Sequence, residues 1–352
     1  MNHANIIINQ ALPVNPAKKI FLTVLAAAAI SQAQASCQSH RVTLQPFRDA
    51  ESVVDSTTLK HYTDYLSSAV CEGRGTVQRG AVDAAWWISR RFAGLGLTPF
   101  GSTYSQSFRN AKGVCHNVIG MIPATRPANR SSYIIIGAHY DGIGMLDGSI
   151  YPGADSNASG VAALLGIADM FRYVAAMGGE IRQNIIFVAF DAKQLSLAGS
   201  ENLWNRISRG MFRDPYSNRA INPRDITMMV NLDILGGNQA PAHKGFDDYL
   251  IMLGCKDADK ILLHKCNRQG ERYLDLSFDY YGSTGFTDMF LNKVSDQKVF
   301  REHGIYGVMF TSGITMDTNR LTDTPDKICP MLLEARTKII YRWIWGKLAD
   351  MK

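Results

Sequence analysis

The segment that follows one apolar run of the chain combines a histidine with a carboxylate. His139 and Asp141 lie in the sequence GAHYD at residues 137–141, directly after the apolar run at residues 133–136. A histidine at a strand end can bind zinc through one ring nitrogen, and a carboxylate two residues further on can hold the other nitrogen and fix the tautomer. The spacing therefore predicts His139 as a metal ligand and Asp141 as the residue that orients it.

Two aspartates elsewhere in the chain follow similar segments. Asp155 lies in the loop PGADSNASG at residues 152–160, where small neighbours allow close approach of the backbone. Asp233 follows the apolar run at residues 227–232. Each residue alone is more often a cap, a turn former or a hydrogen-bonded core residue, but zinc sites are built from histidine nitrogens and aspartate oxygens. His139, Asp155 and Asp233 together are therefore the candidate metal ligands.

The elements that must position these residues alternate along the chain. Continuous apolar runs typical of buried strands are separated by segments with helical periodicity. This pattern predicts an α/β fold, a three-layer α/β/α sandwich with a mixed, mostly parallel central sheet. Ligands of such sheets bind at the carboxyl ends of the strands, where the polar segments lie. The predicted strands are residues 117–122, 133–138, 184–190, 227–232, 249–253, 273–278 and 307–311, and the predicted helices are residues 56–97, 159–174, 197–207, 260–267 and 331–345.

The ordered combination of motifs resembles the secreted zinc aminopeptidases of the bacterial leucyl-aminopeptidase type, whose relatives include the single-zinc glutaminyl cyclases. The resemblance extends from about residue 59 to the C-terminus and implies a zinc-aminopeptidase-like fold and a metallopeptidase family. The motifs that carry it are EGRGT (72–76), GAHYDG (137–142), PGADSNASGVAALL (152–165), IIFVAFDAKQLSLAGS (185–200), VNLDILG (230–236) and DTPDKI (323–328).

The resemblance assigns roles to the candidate ligands. Enzymes of this family hold two zinc ions bridged by an aspartate, with a separate glutamate as general base. By motif position, His139, the bridging Asp155 and Asp233 match the first zinc site, and Asp141 matches the acid that orients His139. Two such ions lower the pKa of bound water and stabilise the oxyanion, while a carboxylate moves the proton.

The second half of the family's site is replaced. Lys193 stands at the position of the general base and Gln194 at that of a glutamate ligand, while Asn319 stands at that of a distant histidine ligand. A lysine is cationic unless strongly desolvated, and a neutral amide is a poor zinc ligand. Similarly, the sequence SDQ at residues 295–297 stands where many members have Ser-Asp-His. The resemblance therefore implies at most one zinc ion per chain, or none, and impaired or lost catalysis.

The charge balance suggests a use for Lys193. Asp155 and Asp233 facing one lysine leave a single net negative charge, which suits one divalent ion at most. We predict that the Lys193 ammonium occupies the second metal position beside Asp155. Glutaminyl cyclases keep the zinc site that is lost here, so cyclase activity is not expected.

Three functions are compatible with this site. The first is binding of a peptide or small ligand in a residual cleft without catalysis. The second is an active one-zinc exopeptidase that releases N-terminal residues, with Asp147, Asp191 or Glu201 as a substitute base. The third is a structural protein of the cell envelope. The sequence decides neither the substrate nor the oligomeric state.

Composition excludes some classes of protein. The chain has 352 residues and a formal net charge of +6, with Lys and Arg interspersed among Asp and Glu, so nucleic-acid binding is not expected. No CxxC pair is present, which argues against a thiolate zinc site. One to three disulfides are expected in an oxidising compartment, with buried free thiols as the alternative. The six cysteines are Cys37, Cys71, Cys115, Cys255, Cys266 and Cys329.

The N-terminus has the pattern of a secretory leader. Lys18 and Lys19 precede an apolar run at residues 20–30, which is too short for a stable membrane span, and a small-x-small site ends at Ala35. We predict a signal peptide at residues 1–35, cleavage near Ala35, and a secreted or periplasmic protein. Lipid attachment at Cys37 fits less well, because Gln34 stands where a small aliphatic residue is expected. Residues 36–352 are predicted to form one domain, with a helical segment at about 56–97.

Overall fold

The apolar runs form the strands of a nine-stranded mixed sheet, which confirms the predicted α/β class. The structure, a computed structural model, describes residues 47–126, 131–238, 248–280 and 282–350. The strands are β1 (Thr98–Pro99), β2 (Ser105–Arg109), β3 (Val114–Ile122), β4 (Tyr133–His139), β5 (Gly144–Leu146), β6 (Ser149–Tyr151), β7 (Asn184–Phe190), β8 (Ile226–Leu232), β9 (Tyr249–Leu253), β10 (Asp275–Ser277) and β11 (Gly307–Thr311).

The four central strands of the sheet run parallel. The spatial order is β1-β3-β7-β4-β8-β11-β9-β10, with β2 paired to β3, and β5 and β6 form a separate hairpin. β4 lies between β7 and β8, and β8 pairs with β11, all in parallel. Antiparallel pairs flank this centre at β3–β7 and β9–β11. Because the centre is parallel, the carboxyl ends of β4, β7 and β8 meet at one edge of the sheet.

Helices cover both faces of the sheet. They are α1 (Ser56–Leu66), α2 (Arg79–Gly94), α3 (Ser159–Ala176), α4 (Ala198–Ser208), α5 (Asp257–Asn267), α6 (Thr284–Asn292), α7 (Gln297–Glu302) and α8 (Pro330–Asp350). Ile134 and Ile136 of β4 pack in one core with α3 and α8, whereas Ile135 packs in a second core with α4 and α7. Because side chains alternate across a strand, this division confirms the three predicted layers.

The predicted helical segment at residues 56–97 is interrupted in the structure. α1 ends at Leu66, and a 3-10 segment at Ala69–Arg74 precedes α2. Glu72 and Gly73 both have positive φ, so the chain turns there instead of continuing as one helix. The turn belongs to the EGRGT motif and brings the Arg74 side chain into the protein interior.

One described segment, Ala154–Ala176, is long and apolar enough to cross a membrane. Within its most apolar window, 78% is buried inside the protein. This burial is what the core helix α3 requires, since it packs against the sheet and α8.

The described cysteines form no disulfides, so of the two alternatives the described part of the chain has free thiols. Cys71, Cys115 and Cys266 are buried free thiols, and Cys255 and Cys329 are half-buried. Burial raises the pKa of Cys115 and Cys266 to about 11, which keeps both thiols protonated near neutral pH. Cys37 and the predicted signal peptide lie outside the described residues.

Candidate functional site

His139 is the last residue of β4 and is fully buried. Its Nδ1 lies 3.0 Å from the carbonyl oxygen of Asp141. A carbonyl oxygen only accepts hydrogen bonds, so Nδ1 carries a proton. The other ring nitrogen, Nε2, lies 3.3 Å from Asp233 Oδ1. The histidine is therefore oriented as predicted, but mainly by the backbone of Asp141.

Asp233 follows β8 and lies beside His139, because β4 and β8 are parallel neighbours. Its Oδ2 accepts hydrogen bonds from Lys193 Nζ at 2.7 Å and from Ser295 Oγ at 2.5 Å. Burial alone would raise the pKa of the Asp233 carboxyl, but the charges of Lys193 and His139 hold that pKa well below its usual range. Asp233 is thus a buried carboxylate compensated by neighbouring side chains.

Lys193 places its ammonium between the two expected metal ligands. Nζ lies 3.0 Å from His139 Nε2 and 2.7 Å from Asp233 Oδ2. An unprotonated Nε2 accepts a hydrogen bond from the ammonium, whereas a protonated one donates to Asp233. The Lys193 side chain is 15% exposed, against 2% for Asp233, so the lysine forms the outer side of the pair.

The carboxylate of Asp141 fixes the loop that carries Lys193. Its Oδ1 accepts a hydrogen bond from Lys193 N and its Oδ2 one from Gln194 N, both at 3.0 Å. The same carboxylate lies 3.5 Å from His139 Nδ1. Asp141 therefore positions the lysine loop as well as the histidine.

Asp155 is buried and, among the described residues, makes no hydrogen bond to either of the other two candidate ligands. Its Oδ1 accepts hydrogen bonds from Gly236 N at 2.7 Å and from Ser159 Oγ at 2.8 Å, and its Oδ2 accepts one from Gly237 N at 3.0 Å. Burial raises the pKa of Asp155. In the described part of the chain, no hydrogen bond joins Asp155 to Lys193.

The predicted position of the Lys193 ammonium beside Asp155 is therefore wrong. Both oxygens of Asp155 are satisfied by the loop after β8 and by Ser159. Lys193 Nζ pairs with Asp233 Oδ2 instead. The ammonium thus lies in the first metal position, between His139 and Asp233, and not in the second.

Gln194 and Asn319, which replace two of the family's metal ligands, are exposed residues of one cleft. Asn319 has φ 60°, a conformation that asparagine tolerates, and its Oδ1 accepts a weak hydrogen bond from Ser156 Oγ at 3.4 Å. Both positions therefore present neutral amides to the cleft.

The three substitute bases do not line this cleft. Asp147 lies exposed in the β5–β6 turn, and Glu201 lies in the first turn of α4. Asp191 is buried, and its carboxylate accepts hydrogen bonds from His116 N and Ala192 N. Burial and the Asp141 charge raise the pKa of Asp191 to about 7, but its oxygens are directed into the protein.

The cleft is a cavity of about 350 Å³ at the carboxyl ends of the central strands. The polar part of its lining includes Lys193, Gln194, Ser156, Asn319 and Thr315. The apolar part consists of Tyr280, Met289, Phe290, Val294, Met309 and Ile314, and four of these belong to one hydrophobic cluster. A cavity of this size with both kinds of lining suits a small ligand or one residue of a peptide.

A zinc ion does not fit the observed arrangement of donors. The ligating nitrogen His139 Nε2 and the oxygen Asp233 Oδ2 both face the Lys193 ammonium. A divalent cation and an ammonium cannot share that space, because like charges repel strongly at such distances. Asp155, the third ligand, is engaged elsewhere. Among the described residues, no three His, Cys, Asp or Glu side chains are grouped to hold a metal ion.

Sequence reasoning missed the residues that fix the strand ends. Asn157 Nδ2 donates to the carbonyl oxygens of His139 at 3.2 Å and Leu232 at 3.0 Å, which ties β4 to β8. Ser295 donates to Asp233. Asn157 lies in the PGADSNASG loop and Ser295 in the SDQ segment, so the motifs contained a signal for both.

Two fully buried arginines hold the surrounding loops, and both were missed. Arg74 donates to the carbonyl oxygens of Tyr140, Pro152 and Gly153. Arg336 donates to those of Leu235 and Gly237. Arg74 belongs to the EGRGT motif, but Arg336 lies within a helix that gives no sequence signal of this role.

Solved structures of other proteins share the fold of this chain. LapB from Legionella pneumophila superposes with a TM-score of 0.64 at 18% identity, covering 88% of this chain and 75% of that one. BSAP, a zinc aminopeptidase from Bacillus subtilis, superposes with a TM-score of 0.60 at 13% identity, covering 83% and 95%. At these identities the likeness shows the fold alone.

Sequence comparison reaches the same group of proteins. Leucine aminopeptidase 1 of Ajellomyces capsulatus is 26% identical over 130 residues, which is 36% of this chain and 31% of that protein. The alignment thus spans about a third of that relative's length. The sequence profile of peptidase family M28 matches residues 117–344. This match covers more than half of the chain and all the candidate ligands, and the chain therefore belongs to peptidase family M28.

Proposed function

We propose that this member of the family binds a peptide or small ligand in its cleft without hydrolysing it. The main support for this proposal is the position of the Lys193 ammonium, which lies within hydrogen-bond distance of both His139 Nε2 and Asp233 Oδ2. This position is where the motifs place the first zinc ion. The ammonium supplies a positive charge there, but it cannot polarise a bound water as a divalent ion does.

The Lys193 ammonium can compensate the buried charge of Asp233 in place of a metal ion. A buried carboxylate without a partner is costly, and removal of one partner of a buried pair is strongly destabilising. With Lys193 present, Asp233 needs no metal for its compensation. The cleft also lacks a general base, since its charged lining residues are Lys193 and Asp233 within the described part of the chain. A protonated amine cannot accept the proton of an attacking water.

The test is zinc content and turnover measured on one sample. The protein is dialysed against micromolar zinc and then against buffer, its metal is measured by elemental analysis, and leucine anilide hydrolysis is assayed. The zinc aminopeptidase from Bacillus subtilis, treated in parallel, serves as the positive control. We expect substoichiometric zinc and no turnover. One zinc per chain together with turnover would establish the one-zinc exopeptidase instead.

A structural role in the cell envelope predicts a different result. A rigid structural protein has no need of a cleft that discriminates among ligands. If no peptide or small ligand binds at millimolar concentration and no turnover is found, the envelope role is favoured over ligand binding. We propose export by the N-terminal leader for either role.

A further inference from the structure

The two charged groups of the cleft differ in what they present to a ligand. Asp233 is 2% exposed, and its Oδ2 is already shared by Lys193 and Ser295. Its Oδ1 faces the ring of His139. Lys193 is the more exposed partner at 15%. A ligand that enters the cleft therefore meets the cation and not the carboxylate.

The Lys193 ammonium retains one hydrogen-bond donor for such a ligand. An ammonium carries three N–H groups. Its partners within the described part of the chain are Asp233 Oδ2 and His139 Nε2. The remaining N–H has no partner among the described residues, and Lys193 itself lines the cavity. The cleft thus offers a ligand one hydrogen-bond donor that carries a positive charge.

The neighbours of Lys193 are neutral. Gln194 and Asn319 are exposed residues of the same cavity lining, and each carries an amide that can donate two hydrogen bonds. Glutamate and histidine at these two positions would favour a cationic ligand or a metal. With amides in their place, no exposed carboxylate remains among the described lining residues. Lys193, Gln194 and Asn319 together therefore suit an anionic group of a ligand.

The apolar part of the cavity lining favours a ligand with an apolar group. It consists of Met289, Phe290 and Ile314 together with three further apolar or aromatic residues. Methionine side chains adapt to different apolar shapes. An aliphatic side chain of leucine size would remove these surfaces from water, which favours binding.

We propose that the cleft binds the carboxylate of a molecule that also carries an apolar side chain, such as an N-acylated amino acid or the C-terminal residue of a peptide. The carboxylate accepts hydrogen bonds from Lys193 Nζ and from the amides of Gln194 and Asn319, and the apolar chain lies against Met289 and Phe290. A free α-ammonium is disfavoured because it approaches Lys193. This inference rests on the proposed function, since it names the ligand of the same non-catalytic cleft.

Calorimetric titration of the full chain tests the charge preference with three ligands. These are N-acetyl-leucine, which is anionic, and N-acetyl-leucinamide, which is neutral and of the same shape, with the smaller leucinamide as the cationic ligand. A charge-assisted hydrogen bond contributes more than a neutral one, so we expect the acid to bind at least about tenfold more tightly than the neutral amide. Leucinamide is expected to bind most weakly.

Two variants assign the preference to this site. Lys193→Met keeps the side-chain stem and removes the charge, so the acid should lose its advantage. Because loss of the Asp233 partner can unfold the chain, Gln194→Glu is the second variant. It leaves the Lys193–Asp233 pair intact and adds an exposed carboxylate, so it should weaken acid binding and strengthen leucinamide binding. Lys112→Met, at an exposed lysine away from the cleft, is the control that should bind as wild type.

The outcomes separate this inference from the proposed function. If leucinamide binds as tightly as N-acetyl-leucine, or if Gln194→Glu leaves both affinities unchanged, the carboxylate preference is refuted. The proposed function fails independently if leucine anilide is hydrolysed. An acetylated tetrapeptide that ends in leucine identifies the source of the ligand. Binding equal to that of N-acetyl-leucine indicates a peptide C-terminus, and selective binding of the small acid indicates a free acylated amino acid.

Discussion

At the scale of single residues, one side chain changes the chemistry of the site. Lys193 pairs with Asp233 at 2.7 Å and reaches His139 at 3.0 Å, so two groups that could bind a metal contact an ammonium instead. The Asp233 side chain of this pair is almost fully buried. In such surroundings a lone carboxylate costs far more than at the surface. We therefore expect the lysine to stabilise the fold, in addition to the proposed replacement of zinc.

Replacement of Lys193 by methionine should lower the free energy of unfolding by about 3 kcal/mol, because it leaves Asp233 buried without a cation. Urea unfolding at neutral pH measures the change. The double variant Lys193→Met with Asp233→Asn should regain part of the loss. Lys60→Met removes an exposed pair with Asp64 and should change stability by less than about 1 kcal/mol. Equal effects of the two lysine variants would contradict a buried, stabilising pair.

At the scale of elements, the parallel strands bring their polar ends together and loops then aim the side chains. The sequence predicted β3, β4 and β7 to β11, the α/β class and the meeting of His139 with Asp233, because apolar runs and strand-end polarity are local signals. It did not predict the short strands β1, β2, β5 and β6, which are not apolar runs. It did not predict the direction of Asp155, which depends on backbone amides of Gly236 and Gly237 about eighty residues away in sequence. The direction of Lys193 depends in the same way on distant contacts, including those of Asp141.

Replacement of Asp141 by asparagine should loosen the Lys193 loop. An asparagine has one acceptor oxygen, so either Lys193 N or Gln194 N loses its partner. The cost of one unsatisfied backbone amide is about 1–3 kcal/mol, measurable by urea unfolding. Asp147→Asn, at an exposed turn, is the matched control and should change stability by less than about 0.5 kcal/mol. An Asp141 variant as stable as this control would show that the carboxylate does not fix the loop.

Asp296 links α4 to the start of α7 and should make stability depend on pH. Its Oδ1 accepts from Ser200 Oγ, and its Oδ2 has no partner within the described residues. Burial raises the pKa of Asp296 to about 6 from the ordinary value of 3.8. The folded state therefore binds more protons than the unfolded state between these values. This contribution to stability is complete below pH 3.8 and is lost as pH rises through about 6.

Replacement of Asp296 by asparagine should flatten that dependence. Urea unfolding of wild type and variant at pH 5 and pH 8 gives the comparison. We expect the stability difference between variant and wild type to move in favour of the variant at pH 8, by about 1.4 kcal/mol. Asp191 and Asp323 titrate in the same direction in both proteins, so the difference isolates Asp296. A difference independent of pH would refute the assignment.

At the scale of the whole molecule, the chain belongs to peptidase family M28, and the departure at the site is an expectation from the motifs. The family match over residues 117–344 includes β4, β7, β8 and β11, and the superposition on BSAP covers 83% of this chain. Asn157, Arg74 and Arg336 still fix the strand ends and loops. A framework preserved around a lysine-filled site is consistent with retention of the fold for binding.

The leader gives a prediction for the mature molecule. If residues 1–35 direct export, intact-mass analysis of the exported protein should find a chain that begins at Ser36. Five thiols, those of Cys71, Cys115, Cys255, Cys266 and Cys329, should remain free after unfolding in a thiol-reactive reagent. A mass that includes the leader, or a diacylglyceryl group on Cys37, would contradict cleavage near Ala35.

The central claim is that the Lys193 ammonium takes the place of zinc, and anomalous diffraction at the zinc edge tests it most directly. Crystals of the wild-type protein would be soaked in zinc before data collection. We predict no anomalous peak between His139 Nε2 and Asp233 Oδ2, with Lys193 Nζ within hydrogen-bond distance of both. A zinc peak bound by His139 and Asp233, with the lysine displaced into the cleft, would contradict the claim.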